Sequence, residues 1–283
     1  MTDQGDPLAR IAAALERLSP PPRDPADWQT APAYVWDGAA RSVSRIVAPP
    51  LALLKGIDAQ KDVVTANVAR LAAGHAAHDM LLWGARGMGK SALLRASVTA
   101  AQQADPAAIA LVQIAPEALA SLSALFAGLG TNPGRRFLVY IDDLGFEEGD
   151  STGPRALRSW LEGGVEARPA NVRLAVTSNR RAIVPRHLAE QDDPINPRDA
   201  IDDRLALADR FGLSVGFHAC SQDDYLAIVA GYAEAAGLGW DQGAALEWAK
   251  RRGARSGRVA WQFVTELAGQ AGTALHPQSW NAR

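Results

Sequence analysis

The 283-residue sequence predicts an α/β fold: a mostly parallel five-stranded sheet covered by helices, with a small C-terminal helical lid. Three observations predict it. Short apolar runs at MLLW (80–83), IALVQI (109–114), FLVYI (137–141), VRLAVT (172–177) and LSVGF (213–217) alternate with helical stretches, as in a buried sheet with helical crossovers. A glycine-rich octapeptide, GARGMGKS (84–91), joins the first run to the helix-forming stretch SALLRASVTA (91–100). From Ser221 onward the pattern is helical only.

Taken in order, residues 7–18 place Leu8, Ile11, Leu15 and Leu18 on one helical face, and SPPPRDPAD (19–27) stops that helix. Trp28, Tyr34 and Trp36 follow in a segment without clear periodicity. They are expected to pack an N-terminal arm, residues 1–50, onto the main body, with a base-stacking surface as the alternative. The α/β domain, 51–217, opens with LALLKGIDAQKDVVTANVARLAAG (51–74), where a turn at Lys55-Gly56 leads into an amphipathic helix carrying Val63, Val64, Val68 and Leu71. The lid, 218–283, holds three helices. SQDD offers a capping-box start for the first, DQGAALEWAKRRG is the second and SGRVAWQFVTELAG the third.

The order strand, glycine loop, helix is the context in which G-x-x-x-x-G-K-[S/T] is a phosphate-binding P-loop, which makes the fold a P-loop NTPase sandwich. Gly84, Gly87 and Gly89 let the backbone turn tightly, so that the N–H groups of 87–91, Met88 among them, point at an anion, with Ala92 in the first helical turn. Lys90 reaches the β- and γ-phosphates, Ser91 ligates Mg²⁺, and the helix N-terminus adds partial positive charge. The helix before this strand is placed to cover a nucleotide base, or to pack against the sheet edge. FLVYIDD (137–143) then ends an apolar strand in two carboxylates. Asp142 there can hold the hydration shell of Mg²⁺, and Asp143 can orient or deprotonate an attacking water; the plainer reading is a solvated acidic loop.

Composition narrows the rest. The apolar fraction of 48% supplies a core, and a net charge of −2 gives no overall basic field to attract nucleic acid or an anionic membrane. Arginine makes up 25 of the 29 basic residues, so local basic surfaces remain open. Arg155, Arg158, Arg168, Arg173, Arg180, Arg181 and Arg186 line either an intersubunit face, a nucleic-acid path or a solvated surface. The first residues lack a basic stretch followed by an apolar core, and no 18-residue apolar run occurs, so a cytoplasmic protein without membrane contact is expected. The single cysteine, Cys220, excludes an intrachain disulfide and a cysteine-based zinc site, and His75 and His78 are expected to be solvated.

The motifs together resemble the AAA+ ATPases over roughly residues 51–270. GARGMGKS is similar to Walker A and VYIDD to Walker B. VTSNRR (176–181) resembles the sensor-1 segment, with Asn179 as its polar residue. ADRFGL (208–213) resembles the segment that presents an arginine finger to a neighbouring subunit, Arg210 here with Arg204 as the alternative, and SGRVAWQF (256–263) resembles sensor 2, with Arg258. Within that group the chain most resembles a bacterial domain-of-unknown-function family, number 815, through LLKGIDAQK (53–61), LLWGARGMGKS (81–91), IDDLGFEEGD (141–150), TSNRRAIVP (177–185) and DRFGL (209–213).

The resemblance implies ATP binding and hydrolysis with Mg²⁺ in a homo-oligomer, with the nucleotide state used to remodel or recruit another macromolecule, an unidentified protein client. Two alternatives stand beside it: a nucleic-acid-handling loader or initiator, since Asp-Asp endings also occur in replication-initiator ATPases, and a nucleotide-gated scaffold with negligible hydrolysis. Walker B usually ends Asp-Glu. Asp143 is a methylene shorter, which predicts a slow, switch-like ATPase unless Glu147 or Glu148 substitutes for it.

Overall fold

The computed structural model describes residues 6–18, 27–145, 157, 159–161, 168–179 and 208–275. The first element, α1 (Pro7–Leu18), forms where periodicity predicts it. Its apolar stripe is not buried on the described chain, for Leu8, Ile11 and Leu15 are 72%, 56% and 59% exposed.

The sheet contains the five predicted runs as β3 (Met80–Gly84), β4 (Ile109–Ile114), β5 (Arg136–Ile141), β6 (Val172–Ser178) and β7 (Leu213–Phe217). Among the described residues it has seven strands rather than five, because the N-terminal arm adds β1 (Ala33–Trp36) and β2 (Ala40–Val43) beside β4. The order is β2-β1-β4-β5-β6-β3-β7, and every pairing is parallel except the β1–β2 hairpin. The arm hid its strand because β1 is covered on both faces, which erases the in-out alternation that marks a half-buried strand.

Trp28, Tyr34 and Trp36 are buried there, Trp28 lying 4.7 Å from the Tyr34 ring and edge-on to Phe137 at 6.0 Å. These aromatics pack the arm and present no surface for base stacking. Arg135, only 3% exposed, pins the same segment by donating to the carbonyls of Trp28 and Ala31, both at 2.8 Å.

Strand residues alternate between two helical layers. Met80, Leu82, Leu138 and Tyr140 face α2 (Asp58–Ala72), α3 (Lys90–Ala104) and the lid, whereas Leu81, Val139, Ile141 and Val176 face α4 (Leu122–Gly130). In α2, Val64, Val68 and Leu71 are buried as the spacing implies, but Val63 is 43% exposed, off the packed face.

The lid comprises α5 (Gln222–Ala236), α6 (Gln242–Arg252) and α7 (Gly257–Gln270). Ser221 and Asp224 close the expected capping box on α5, while Asp241 and Ser256 cap the other two helices. Tyr225, Val229, Phe263 and Val264 extend the sheet's core into the lid through Leu54 and Ile57. No described helix is long and apolar enough to cross a membrane.

Candidate functional site

Topology assembles the site. Since β3, β5 and β6 are parallel neighbours, the loops leaving their carboxyl ends emerge at one edge of the sheet. The glycine loop leaves β3, Asp142 and Asp143 come directly after β5, and Asn179 directly after β6. Register fixes their heights: Leu82 lies opposite Thr177, and Ile141 opposite Val176.

The loop needs its glycines. Gly84, Gly87 and Gly89 have φ of +123°, +76° and +88°, a region that side chains rarely adopt. A Cβ on Gly84 would lie 2.0 Å from the carbonyl oxygen of Phe217, and one on Gly87 would meet Ser256 Oγ at 2.8 Å. The loop is thus pressed between β7 and the lid, and the amide of Arg258 donates to the Gly87 carbonyl at 3.2 Å. The N-termini of α3 and α7 both open here, so the positive ends of two helix dipoles border the same space, although the Arg258 and Val259 amides of α7 are already bonded to Gly87 and Ser256.

Lys90 is 7% exposed, and its Nζ donates to the carbonyls of Gly84 and Ala85 at 2.8 and 2.9 Å. Burial pushes its pKa below the ordinary lysine value, against the pull of Asp143 and Asp142. Ser91 Oγ donates to Asp142 Oδ1 at 2.6 Å, and Thr177 Oγ1 donates to the same oxygen at 2.7 Å. Burial opposes ionisation of Asp142, but the bonds from Ser91 and Thr177, the nearby hydroxyl of Tyr140 and the charge of Arg95 outweigh it and hold the pKa below the usual carboxylate value.

Thr177 Oγ1 also accepts the backbone N–H of Asp143 at 2.8 Å. Asp143 has φ +51°, the one positive φ outside glycine among the described residues; the amide of Asn179 donates to its carboxylate, and Arg86 lies 3.9 Å away.

These groups line a cleft of about 550 Å³, within the usual range for small-ligand sites. Gly87, Met88, Gly89, Lys90, Ser91, Ala92, Asp142, Asp143, Asn179 and Arg258 all border it. Leu53, Leu54 and Ile57, with Ile228, Tyr232 and Trp261 of the lid, give the cleft an apolar part beside the polar loop. Arg210 does not border the cleft. It is half-buried in the turn before β7, at the amino end of that edge strand, while the cleft lies at the carboxyl ends. Glu147, Glu148, Arg204, Arg155, Arg158, Arg180, Arg181 and Arg186 lie outside the described residues. Arg168, far from belonging to a basic surface, is paired with Asp79 at 2.8 Å, and His75 and His78 are exposed.

The donor chemistry fits a metal-bound triphosphate. With the hydroxyl proton of Ser91 committed to Asp142, its lone pairs are available to a cation, and hydroxyl plus carboxylate oxygens are the hard donors that Mg²⁺ prefers. Four contributors escape the motif spacing: Arg86, Arg95, Tyr140 and Thr177. The signal for two of them is a polar atom inside an apolar run, the threonine of VRLAVT and the tyrosine of FLVYI.

No curated protein matches the chain. Among solved structures, the RuvB Holliday junction branch migration motor of Thermotoga maritima aligns over 81% of this chain and 68% of its own, with 14% identity and a TM-score of 0.52. The ORC1 protein of Aeropyrum pernix, solved in complex with DNA, aligns over 81% of this chain and 65% of its own, with 16% identity and a TM-score of 0.50. At that identity the likeness is one of fold alone. The family model described as "Protein of unknown function (DUF815)" matches residues 29–271, and the chain belongs to that family.

Proposed function

We propose that the protein binds ATP with Mg²⁺ in this cleft and hydrolyses it slowly at an interface between identical copies, its nucleotide state serving to remodel or recruit a protein client. The observation that carries the reading is the convergence of the Ser91 and Thr177 hydroxyls on Asp142 Oδ1 beside a three-glycine loop whose lysine is held on backbone carbonyls. On loading, Lys90 exchanges the carbonyls of Gly84 and Ala85 for phosphate oxygens, joined by the N–H groups of 87–91. Ser91 and Asp142 hold the metal, which when bound neutralises charge on the phosphate oxygens.

Asp143 and Asn179 orient a water whose oxygen bonds to the γ-phosphorus as the bond to the bridging oxygen breaks, with Asp143 accepting the proton. The engagement of Asp143 by Asn179 and Arg86 supports a slow step, since a carboxylate already bonded is less available as a base. Arg258 reaches the phosphates from the lid of the same chain. Arg210, separated from its own cleft by the length of β7, serves the cleft of a neighbour.

Calorimetry is expected to show ATP binding that Lys90→Ala weakens by about 10- to 100-fold, the worth of hydrogen bonds to a charged group. Steady-state turnover is expected below about 10 s⁻¹, the median for enzymes. Absent binding, or faster turnover, contradicts the reading. Nucleic acid is the less favoured partner: the fold neighbours include a DNA-bound protein, but this chain carries a net charge of −2. A gel shift at low salt with ATP that retards DNA would reverse that preference.

A further inference from the structure

Tyr140 is the last residue but one of β5, opposite Gln113 of β4 and Ala175 of β6, and is 0% exposed. Its ring belongs to the core beneath α3. Its hydroxyl comes up against Asp142, two residues along the same strand face, and against Ser91, yet among the described residues it closes no hydrogen bond. One turn beyond Ser91 on α3, Arg95 faces the same spot, its Nε likewise buried without a partner.

A buried hydroxyl with no partner costs free energy that phenylalanine, with the same ring, would avoid. Such a group therefore calls for a state in which it is bonded. Asp142 provides one: its two described hydrogen bonds both go to Oδ1, from Ser91 and Thr177, so neither bond fixes the carboxylate's second oxygen.

Resting on the nucleotide reading of the cleft, we propose that Tyr140 is a positioning residue of the metal site. Its hydroxyl donates to Asp142 when that carboxylate takes up the hydration shell of the cation, and so locks the carboxylate's rotation. Tyr140 touches neither phosphate nor metal; it acts through Asp142. Arg95 supports the same carboxylate by its charge.

The test is a Mg²⁺ titration of fluorescent-ATP-analogue binding to the full chain and to Tyr140→Phe, with thermal unfolding of both proteins in EDTA. For Tyr140→Phe the Mg²⁺ concentration at half-saturation is expected to rise about tenfold, the lower end of what loss of a group bonded to a metal ligand costs. Analogue binding in EDTA should be unchanged, and the metal-free Tm unchanged or higher, because the variant removes an unpaired hydroxyl. A Mg²⁺ midpoint that does not move overturns the inference and leaves the nucleotide reading intact. A lowered metal-free Tm also overturns it, since the hydroxyl would then be bonded in the resting fold. If the wild-type chain binds no analogue at any Mg²⁺ concentration, the nucleotide reading falls and takes the inference with it.

Discussion

The single hydroxyl of Thr177 donates to Asp142 and accepts from the backbone of Asp143, so one oxygen ties both carboxylates to β6. Thr177→Val keeps the shape and strands the Asp143 N–H. A stability loss of about 1–3 kcal/mol is expected by urea denaturation, with a larger fall in ATP turnover than in ATP affinity. Equal losses of both would mean that the threonine is merely structural. Cys220 offers a second check. Burial, helped by the charge of Asp224, pushes its thiol up to about 11, so below that pH the native side chain stays protonated and poor in thiolate. Iodoacetamide labelling at pH 8.5 is expected to be on the order of a hundredfold slower in the native protein than in urea, and to accelerate as the pH approaches 11. Equal rates in the two states would show the site to be open. The lysine, serine and aspartates of the cleft were legible because their roles depend on spacing along one strand–loop–helix unit. Thr177 was not, because its role arises only when β6 lies beside β5 in this register.

At the scale of elements, the glycine loop is a wedge between β7 and the lid. Gly84→Ala forces a Cβ into the Phe217 carbonyl at an unfavourable φ, and a loss of about 3 kcal/mol or more, or failure to fold, is expected in a denaturation series. Ser256→Ala should be milder, about 1 kcal/mol, as the hydroxyl that caps α7 through the Val259 N–H is lost. A cost of several kcal/mol at Ser256 would mean that its contact with Gly87, not the cap, dominates. The five core strands and three lid helices could be read from composition, periodicity and caps, which are local signals. The β1–β2 hairpin could not: its stability comes from Arg135, Phe137 and β4, distant along the chain, and its own sequence shows neither alternation nor a long apolar run. The stripe on α1 illustrates the converse, since Leu8, Ile11 and Leu15 follow helical periodicity without being buried on the described chain.

For the molecule as a whole, the decisive geometry is the distance of Arg210 from its own cleft. The five residues of β7 separate them, about 16 Å of strand, more than a guanidinium on one side chain can span. An arginine so placed contributes to hydrolysis only if another copy brings its cleft alongside, as happens in head-to-tail rings where one surface meets a different one. Arg210→Ala should then bind ATP normally and lose turnover by about 10³-fold or more, whereas Lys90→Ala should bind it weakly and not turn it over. On that reading each variant alone should be inactive, with the two defects on opposite sides of the interface. In an equal mixture, a quarter of randomly formed interfaces unite an intact Lys90 from one copy with an intact Arg210 from the next. Turnover is therefore expected to return to about a quarter of the wild-type value on mixing, and to fall on dilution as the assembly dissociates. If subunits exchange, as fluorescence transfer between labelled copies can establish, and no turnover returns, then Arg210 acts within its own chain or not at all.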